Sequence, residues 1–463
     1  MAQQHLDRLS AVDAAFLHQE GEATHMHIGA IARFAAPAPP YADLLEHIRG
    51  RLHLVPRYRQ KLAVPPGGFG RQRWIDDPRF NLEYHVRHTA LPRPGDDERL
   101  LRLAGRVFSQ RLDRTKPLWE MWMVEGFADG RWALISKTHH ALVDGVSGVD
   151  LTTMLFDLQP EPQHHDDAHV WVPQPEPSDA ELAAASLTSA ARRTLSLPVR
   201  AAQLATQPSH ALEQARETLG GLAEVARASM SSAPDTPLNV AISPHRRIAI
   251  APARLEDFKL VKNAFGGTVN DVVLAVVAGA LRDWLHSRGM RTEGLEMKAC
   301  VPVSTRAPEH DGSLGNRITQ LIAPLPIHIA DPVERLRSVT AAMAGIKDSK
   351  QALGAEIIAG AQDFAPPTIL AQSSRMNFST RFYNLLVTNI PGPQFPLYLL
   401  GRELEEIFPV AFLAGDRALA IAIMSFNGGM NFGLIGDLDA MADIDVVTEG
   451  ITHSLRELVR LAA

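Results

Sequence analysis

Cysteine is nearly missing from this chain of 463 residues: Cys300, set between apolar neighbours, is its one example. A lone thiol allows no disulfide within the chain. It fits a reducing compartment and a buried thiol rather than a nucleophile. Long apolar runs are missing too. None approaches the roughly 20 residues that span a bilayer. The opening MAQQHLDRLS has no apolar core of the kind a secretory signal needs, so the expected location is cytoplasmic. Positive charge is not in excess. With 46 Lys and Arg against 52 Asp and Glu, the net charge is −6, and the absence of a basic run argues against a nucleic-acid partner. What the chain does have is apolar mass: 46% of its residues are hydrophobic, enough for large cores, and its length implies more than one domain.

Composition divides the chain in three. Residues 1–159 alternate strand and helix signals, as expected of an α/β domain. Residues 160–240 form a linker: Pro160, Pro162, Pro173, Pro175 and Pro177 break regular structure. Ser178 with Glu181 then caps an Ala/Leu-rich helix running towards Pro198, and a second helical stretch covers about 208–229. Residues 241–463 are again α/β in character, starting near Arg247. No internal repeat is visible.

The run KTHHALVDGVSG holds the residues with the clearest chemistry: His139, His140, Asp144 and Gly145 make an HHxxxDG pattern. Its flanks place it. Trp119–Phe127 and Trp132–Ser136 read as two strands joined at the turn Ala128-Asp129-Gly130. Beyond the histidines, Ser147 with Asp150 caps a helix carrying Met154, Leu155 and Leu158. The motif thus sits where a strand ends and a helix begins, and Gly145 and Gly148 permit a sharp turn there. An imidazole with an ordinary pKa of about 6.5 can take a proton from an attacking hydroxyl and return it to a leaving thiolate, a service typically worth roughly 10²–10⁴-fold. His140 is the candidate base, and His139 reads as a hydrogen-bonded structural partner. Asp144 either orients the imidazole or turns away to hold the loop through an arginine, for which Arg306 is the candidate. No activated serine or cysteine accompanies the motif, so direct transfer without an acyl-enzyme is expected.

Thr268 and Asp271 form another capping signature, which puts Asn270 in the first turn of the apolar helix that follows. That helix is apolar all round and should be deeply buried. An amide at a helix start can donate to a developing oxyanion, or it can merely satisfy nearby backbone. His164, His165, Asp166, Asp167 and His169 offer metal-ligand types, but in proline-rich linker company, and no metal site is assigned. The run Asn389-Ile390-Pro391-Gly392-Pro393 reads as a loop that could shape a tunnel wall. The glycine-rich SFNGGMNFG suggests a bulge or a close backbone approach to a substrate.

These residues resemble one family. HHALVDG, the opening Leu9–Leu17, the Met26–Phe34 run MHIGAIARF, Pro117-Leu118-Trp119-Glu120, Asn270-Asp271, Asn389–Pro393 and the stretch from Ser425 to Asp437 are similar, in this order, to blocks of the bacterial wax ester synthase/diacylglycerol acyltransferase family. That family falls within the chloramphenicol acetyltransferase-like, CoA-dependent superfamily. The resemblance spans nearly the whole chain outside about 160–240. It implies two α/β domains of mixed sheets flanked by helices, with the active site in a tunnel at their interface. It implies acyl-CoA as donor substrate, no other cofactor, and diacylglycerol or a long-chain alcohol as acceptor. It also implies His140 as base, Asn270 as oxyanion donor, an orienting or structural Asp144, and His139, Gly145, Asn389 and Gly392 at the substrate. Two other readings stay open: a condensation-like enzyme using carrier-bound thioesters, and a non-catalytic lipid-binding protein of the same fold. The linker leucines interleaved with Arg192, Arg193, Arg200, Arg216 and Arg227 either rest on an inner-membrane or lipid-body surface or strap the two halves together. Oligomeric state is not legible.

Overall fold

The computed structural model describes residues 6–68, 70–143, 155–161, 171–188, 232–304, 318–348 and 382–463. Asp144, Gly145, Arg306, the histidines near 164 and the second linker helix lie outside the described residues.

The first half carries strands β1 (Asp7–Arg8), β2 (His27–Phe34), β3 (Gln60–Ala63), β4 (Arg73–Asp76), β5 (Val86–Ala90), β6 (Trp119–Glu125) and β7 (Trp132–His139). Its helices are α1 (Ala11–Gln19), α2 (Tyr41–Arg51), α3 (Leu82–His85), α4 (Asp97–Ser109) and α5 (His140–Val143). In the linker, α6 (179–188) starts as its capping signature requires: the Glu181 N–H donates to Ser178 Oγ and the Ser178 N–H to Glu181 Oε2. The second half has β8 (Arg246–Arg254), β9 (Met297–Ser304), β10 (Ile318–Leu325), β11 (Leu385–Pro391), β12 (Tyr398–Leu399), β13 (Arg402–Val410), β14 (Leu419–Phe426) and β15 (Gly429–Asp437). Its helices are α7 (Leu255–Phe265), α8 (Val269–Ser287), α9 (Pro332–Asp348) and α10 (Ile444–Ala462).

Two six-stranded mixed sheets result, with the order β12-β13-β2-β7-β6-β5 in one and β10-β9-β11-β14-β15-β8 in the other. The expected hairpin is present as β6–β7, antiparallel from Trp119 opposite Thr138. It runs three residues past Ser136, carrying the strand to His139. The halves are not independent in their sheets. β12 and β13 come from the second half of the chain, yet β13 pairs with β2 and completes the first sheet. The isolated bridge between Asp157 and Tyr398 fastens the same crossing.

Helix α8 is buried throughout Asp271–Leu281, as its all-round apolar sequence demands. It packs with α7, α9, α10 and the second sheet in one hydrophobic core. The bent α7–α8 pair is the only described segment with the length and composition of a membrane span, and no single described helix qualifies. A second core fills the first half around Trp119 and Trp132. A third lies between the halves, where Phe16, Met26, Phe108 and Ile135 meet Cys300, Tyr383, Phe412 and Ile435. Cys300 is fully buried there, and burial pushes its thiol up to about 12, so it is a packing residue.

The glycine-rich hairpin β14–β15 turns at Asn427-Gly428, both at positive φ. Its close approach is to protein backbone: a Cβ on Gly433 would lie 1.8 Å from the carbonyl oxygen of Pro409 in β13. This contact locks the crossing strand onto the second sheet. Gly433→Ala is therefore expected to lower stability by about 2 kcal/mol or more. Gly345→Ala, in α9 with nothing within 4 Å of the added Cβ, is expected to raise stability by about 0.5–1 kcal/mol. Denaturant unfolding of the two variants beside the parent checks both signs.

Candidate active site at the end of the seventh strand

The local sequence dictates how His139 and His140 diverge. β7 holds His139 opposite His27 of β2, and the His139 N–H donates to Leu118 O at 3.0 Å. The next residue leaves the sheet: the His140 N–H donates to Met26 O at 2.9 Å. Met26 is a non-glycine residue at φ 48, a conformation of the kind that persists only where surrounding structure holds it. The turn of α5 is started by a side chain, since the Ala141 N–H donates to His139 Nδ1 at 3.0 Å. That bond requires an unprotonated Nδ1, so the His139 proton sits on Nε2, which faces Glu20 Oε2 at 3.7 Å.

Glu20 is the centre of a buried polar cluster. Its side chain is fully enclosed, with His27 Nε2 3.8 Å from Oε1. Arg114 donates through Nε to Oε2 at 2.6 Å, and Arg111 stands 3.6 Å away. Burial drives the His139 pKa down to about 3, with Arg114 and His140 adding to the effect. It drives His27 well below its ordinary value, with Lys137 as the next cause. Both imidazoles are held neutral. His139 is 1% exposed, with Nδ1 engaged and Nε2 facing Glu20.

His140 has the opposite setting. It is half-buried, and its ring stacks on Phe16 of α1 with centroids 3.9 Å apart at 22°. Phe412, two residues beyond β13, meets it edge-on at 5.6 Å and 89°. One phenyl comes from each half of the chain. α1 is itself rigidly started: Ser10 Oγ accepts the Asp13 N–H and donates to Asp13 Oδ2. Apolar walls flank the ring, and the backbone fixes its origin. Sequence reading missed Phe16, Glu20, His27 and Phe412 as site residues. The first three lie within or between the family-like opening blocks, but nothing local announces their roles.

Lys137 anchors the other side of β7. Its ammonium is fully buried and donates to Val107 O at 2.7 Å and Gln110 O at 2.9 Å at the C-terminal end of α4, while pairing with Glu120. A cation there is stabilised by the helix dipole.

The remaining candidates stand elsewhere. Asn270 is half-buried in the first turn of α8 behind a complete Thr268/Asp271 capping box. Among the described residues no hydrogen bond or ring contact links it to His140. A Cβ on the neighbouring Gly267 would lie 2.6 Å from Thr340 Oγ1 of α9, which locates this helix start beside α9. Asn389 lies in β11, in register with Ile423, so the segment read as a loop is strand as far as Pro391. Gly392 follows with its Cα against β14: an added Cβ would sit 2.3 Å from Ser425 O. Gln394 then bonds Ser425 Oγ and the Gly428 N–H, pinning the segment to the β14–β15 turn. Among the described residues no cluster of three or more His, Cys, Asp or Glu could hold a metal ion.

Comparison with known proteins covers most of the chain. Residues 9–273 match the model of the wax ester synthase/diacylglycerol acyltransferase catalytic domain, and residues 314–459 match that of the WS/DGAT C-terminal domain. A putative diacylglycerol O-acyltransferase of Mycobacterium bovis is 31% identical over 467 residues, covering 99% of this chain and 96% of its own length. The solved wax ester synthase/diacylglycerol acyltransferase from Marinobacter aquaeolei VT8 superposes with a TM-score of 0.69 at 28% identity, covering 98% of this chain and all of that one. The first condensation domain of the CDA synthetase shares the fold alone, with a TM-score of 0.57 at 14% identity over all of this chain and 98% of that one.

The neutral buried histidines have a consequence for pH. Their folded pKa values lie below the ordinary value of about 6.5, so the unfolded chain binds more protons and stability falls with falling pH. The loss begins near pH 6.5 and levels off at each folded value: about 3 for His139 and about 4 for His85, which is buried against Trp119. At pH 5 each such histidine is expected to cost about 2 kcal/mol relative to pH 8. Urea unfolding of wild type and His139→Gln between pH 5 and 8 checks this: the variant should lose about 2 kcal/mol less across that range.

Proposed function

Because the chain belongs to the wax ester synthase/diacylglycerol acyltransferase family, we propose that it is an acyl-CoA-dependent O-acyltransferase that esterifies a lipid hydroxyl. The observation that carries the mechanism is the presentation of His140 at the end of β7, between Phe16 and Phe412. In this reading His140 accepts the proton of the acceptor hydroxyl as the oxygen attacks the thioester carbonyl. The tetrahedral intermediate then collapses, the C–S bond breaks, and the same proton leaves with the CoA thiolate. Proton and electron pairs balance within one ternary complex, so no acyl-enzyme is needed. Asp144 orients His140 or holds its loop. Asn270, at a helix start, is the proposed oxyanion donor on the strength of the family resemblance and its capped position. Asn389 and Gly392 line the acceptor or acyl path in the same reading.

The acceptor class is diacylglycerol, a long-chain alcohol, or both. The Mycobacterium bovis relative is named for diacylglycerol and the Marinobacter protein for both products, and the apolar walls beside His140 suit either. The chain is proposed to work in the cytoplasm, at times against an inner-membrane or lipid-body surface where such acceptors collect. Flotation with anionic vesicles at low salt tests that contact, and failure to co-migrate removes it.

CoA release from palmitoyl-CoA, with hexadecanol and diacylglycerol offered in parallel, tests the activity. Release should depend on an acceptor and fall roughly 10²–10⁴-fold in His140→Ala. Release independent of both acceptor and His140 would refute the assignment, and turnover with carrier-bound thioesters alone would move it to the condensation-like reading.

A further inference from the structure

An acyl-CoA bears its thioester at one end of a flexible arm and its phosphates at the other. A donor site therefore needs fixed cations at a distance from the base. A cleft of about 720 Å³ opens on the seam between the two halves, walled by α4 on one side and the start of β8 on the other. Four arginines line it (Arg102, Arg106, Arg246 and Arg247) against two carboxylates, Glu98 and Asp445.

Two of the four are already committed. Arg102 pairs with Glu98 along the face of α4. The guanidinium of Arg246 is spent on backbone carbonyls, Nη1 donating to Ser243 O and His245 O and Nη2 to Ala23 O. Arg106 and Arg247 have no hydrogen bond or ion pair among the described residues, and Arg247 Nε is buried without a partner. Burying an unpaired guanidinium nitrogen costs free energy that an anion would recover.

The cleft is also linked to the base through the backbone. Its Arg246 donates to Ala23 O, and three residues on, Met26 O receives the His140 N–H. Fully extended, those three residues span at most about 11 Å. The walls are fixed: the Arg246 N–H donates to Ser109 Oγ at 2.8 Å, a Cβ on Gly105 would lie 2.7 Å from Arg246 O, and Lys137 clamps the end of α4. We infer that this seam cleft, with Arg106 and Arg247 as its available cations, receives the phosphate-bearing end of the acyl-CoA donor. The inference rests on the acyltransferase reading and adds the place where the donor is gripped.

Calorimetric titration of the whole protein with CoA and with phosphate-free pantetheine tests it, alongside turnover of palmitoyl-CoA. Arg106→Ala/Arg247→Ala should weaken CoA by about tenfold or more and leave pantetheine binding unchanged. It should raise KM for palmitoyl-CoA at nearly constant kcat, and lysine at both positions should restore most of the affinity. The exposed Arg106→Glu alone provides the same comparison should the double variant not fold. Unchanged CoA affinity, or equal weakening of CoA and pantetheine, would overturn the cleft assignment. Arginine-dependent CoA binding by a wild type that transfers no acyl group would uphold the cleft and sink the acyltransferase reading. Unaltered KM in the variants with normal transfer would do the reverse.

Discussion

The site depends on an imidazole that cannot be charged. Because His139 is buried and its pKa lies near 3, its Nδ1 lone pair is available to the Ala141 N–H, and that bond turns the chain out of β7. A protonated His139 would offer a donor where the backbone needs an acceptor. The turn, the position of His140 and the start of α5 would then lose their common support. Glu20 faces the other nitrogen, and two arginines neutralise the carboxylate. The paired histidines thus divide by burial: His139 sets the geometry of the turn, and His140 stands half-exposed beyond it.

Each half of the chain contributes a wall beside His140. Phe16 arrives on the first helix and Phe412 directly after the strand that crosses into the first sheet. Both belong to the third hydrophobic core, between the halves. The seam cleft follows the same division, with α4 from one half and β8 from the other. The interface between the halves is therefore packed core for much of its extent, with His140 at its edge.

Local features were legible from sequence because their causes are local. The capping pairs Ser178/Glu181 and Thr268/Asp271, the β6–β7 hairpin and the buried α8 follow from spacing and hydropathy over a dozen residues. The end of β7 was not legible. Lys137 and Thr138 look like residues leaving a sheet, yet Lys137 is buried because carbonyls at the end of α4 and the Glu120 carboxylate await it. Asn389–Pro391 looked like loop, since its strand partner β14 lies some thirty residues on. The glycines of SFNGGMNFG suggested a bulge or an approach to a substrate; the approach found at Gly433 is to the Pro409 carbonyl, a partner visible only in three dimensions. The pattern HHxxxDG identified His140. The phenyl rings and Glu20 that make it a site are contacts across long sequence separations, which periodicity does not encode.

The passage of β12 and β13 into the first sheet also sets an order of events during synthesis. When His139 leaves the ribosome, β2 has its neighbour β7 on one side and an open edge on the other. The strand that covers that edge, Arg402–Val410, is still unmade. At ordinary elongation speeds of about 5–20 residues per second the wait is on the order of tens of seconds. During that wait an unpaired edge of alternating apolar residues is open to other chains. The nascent first half therefore keeps that edge uncovered until Arg402–Val410 has been made.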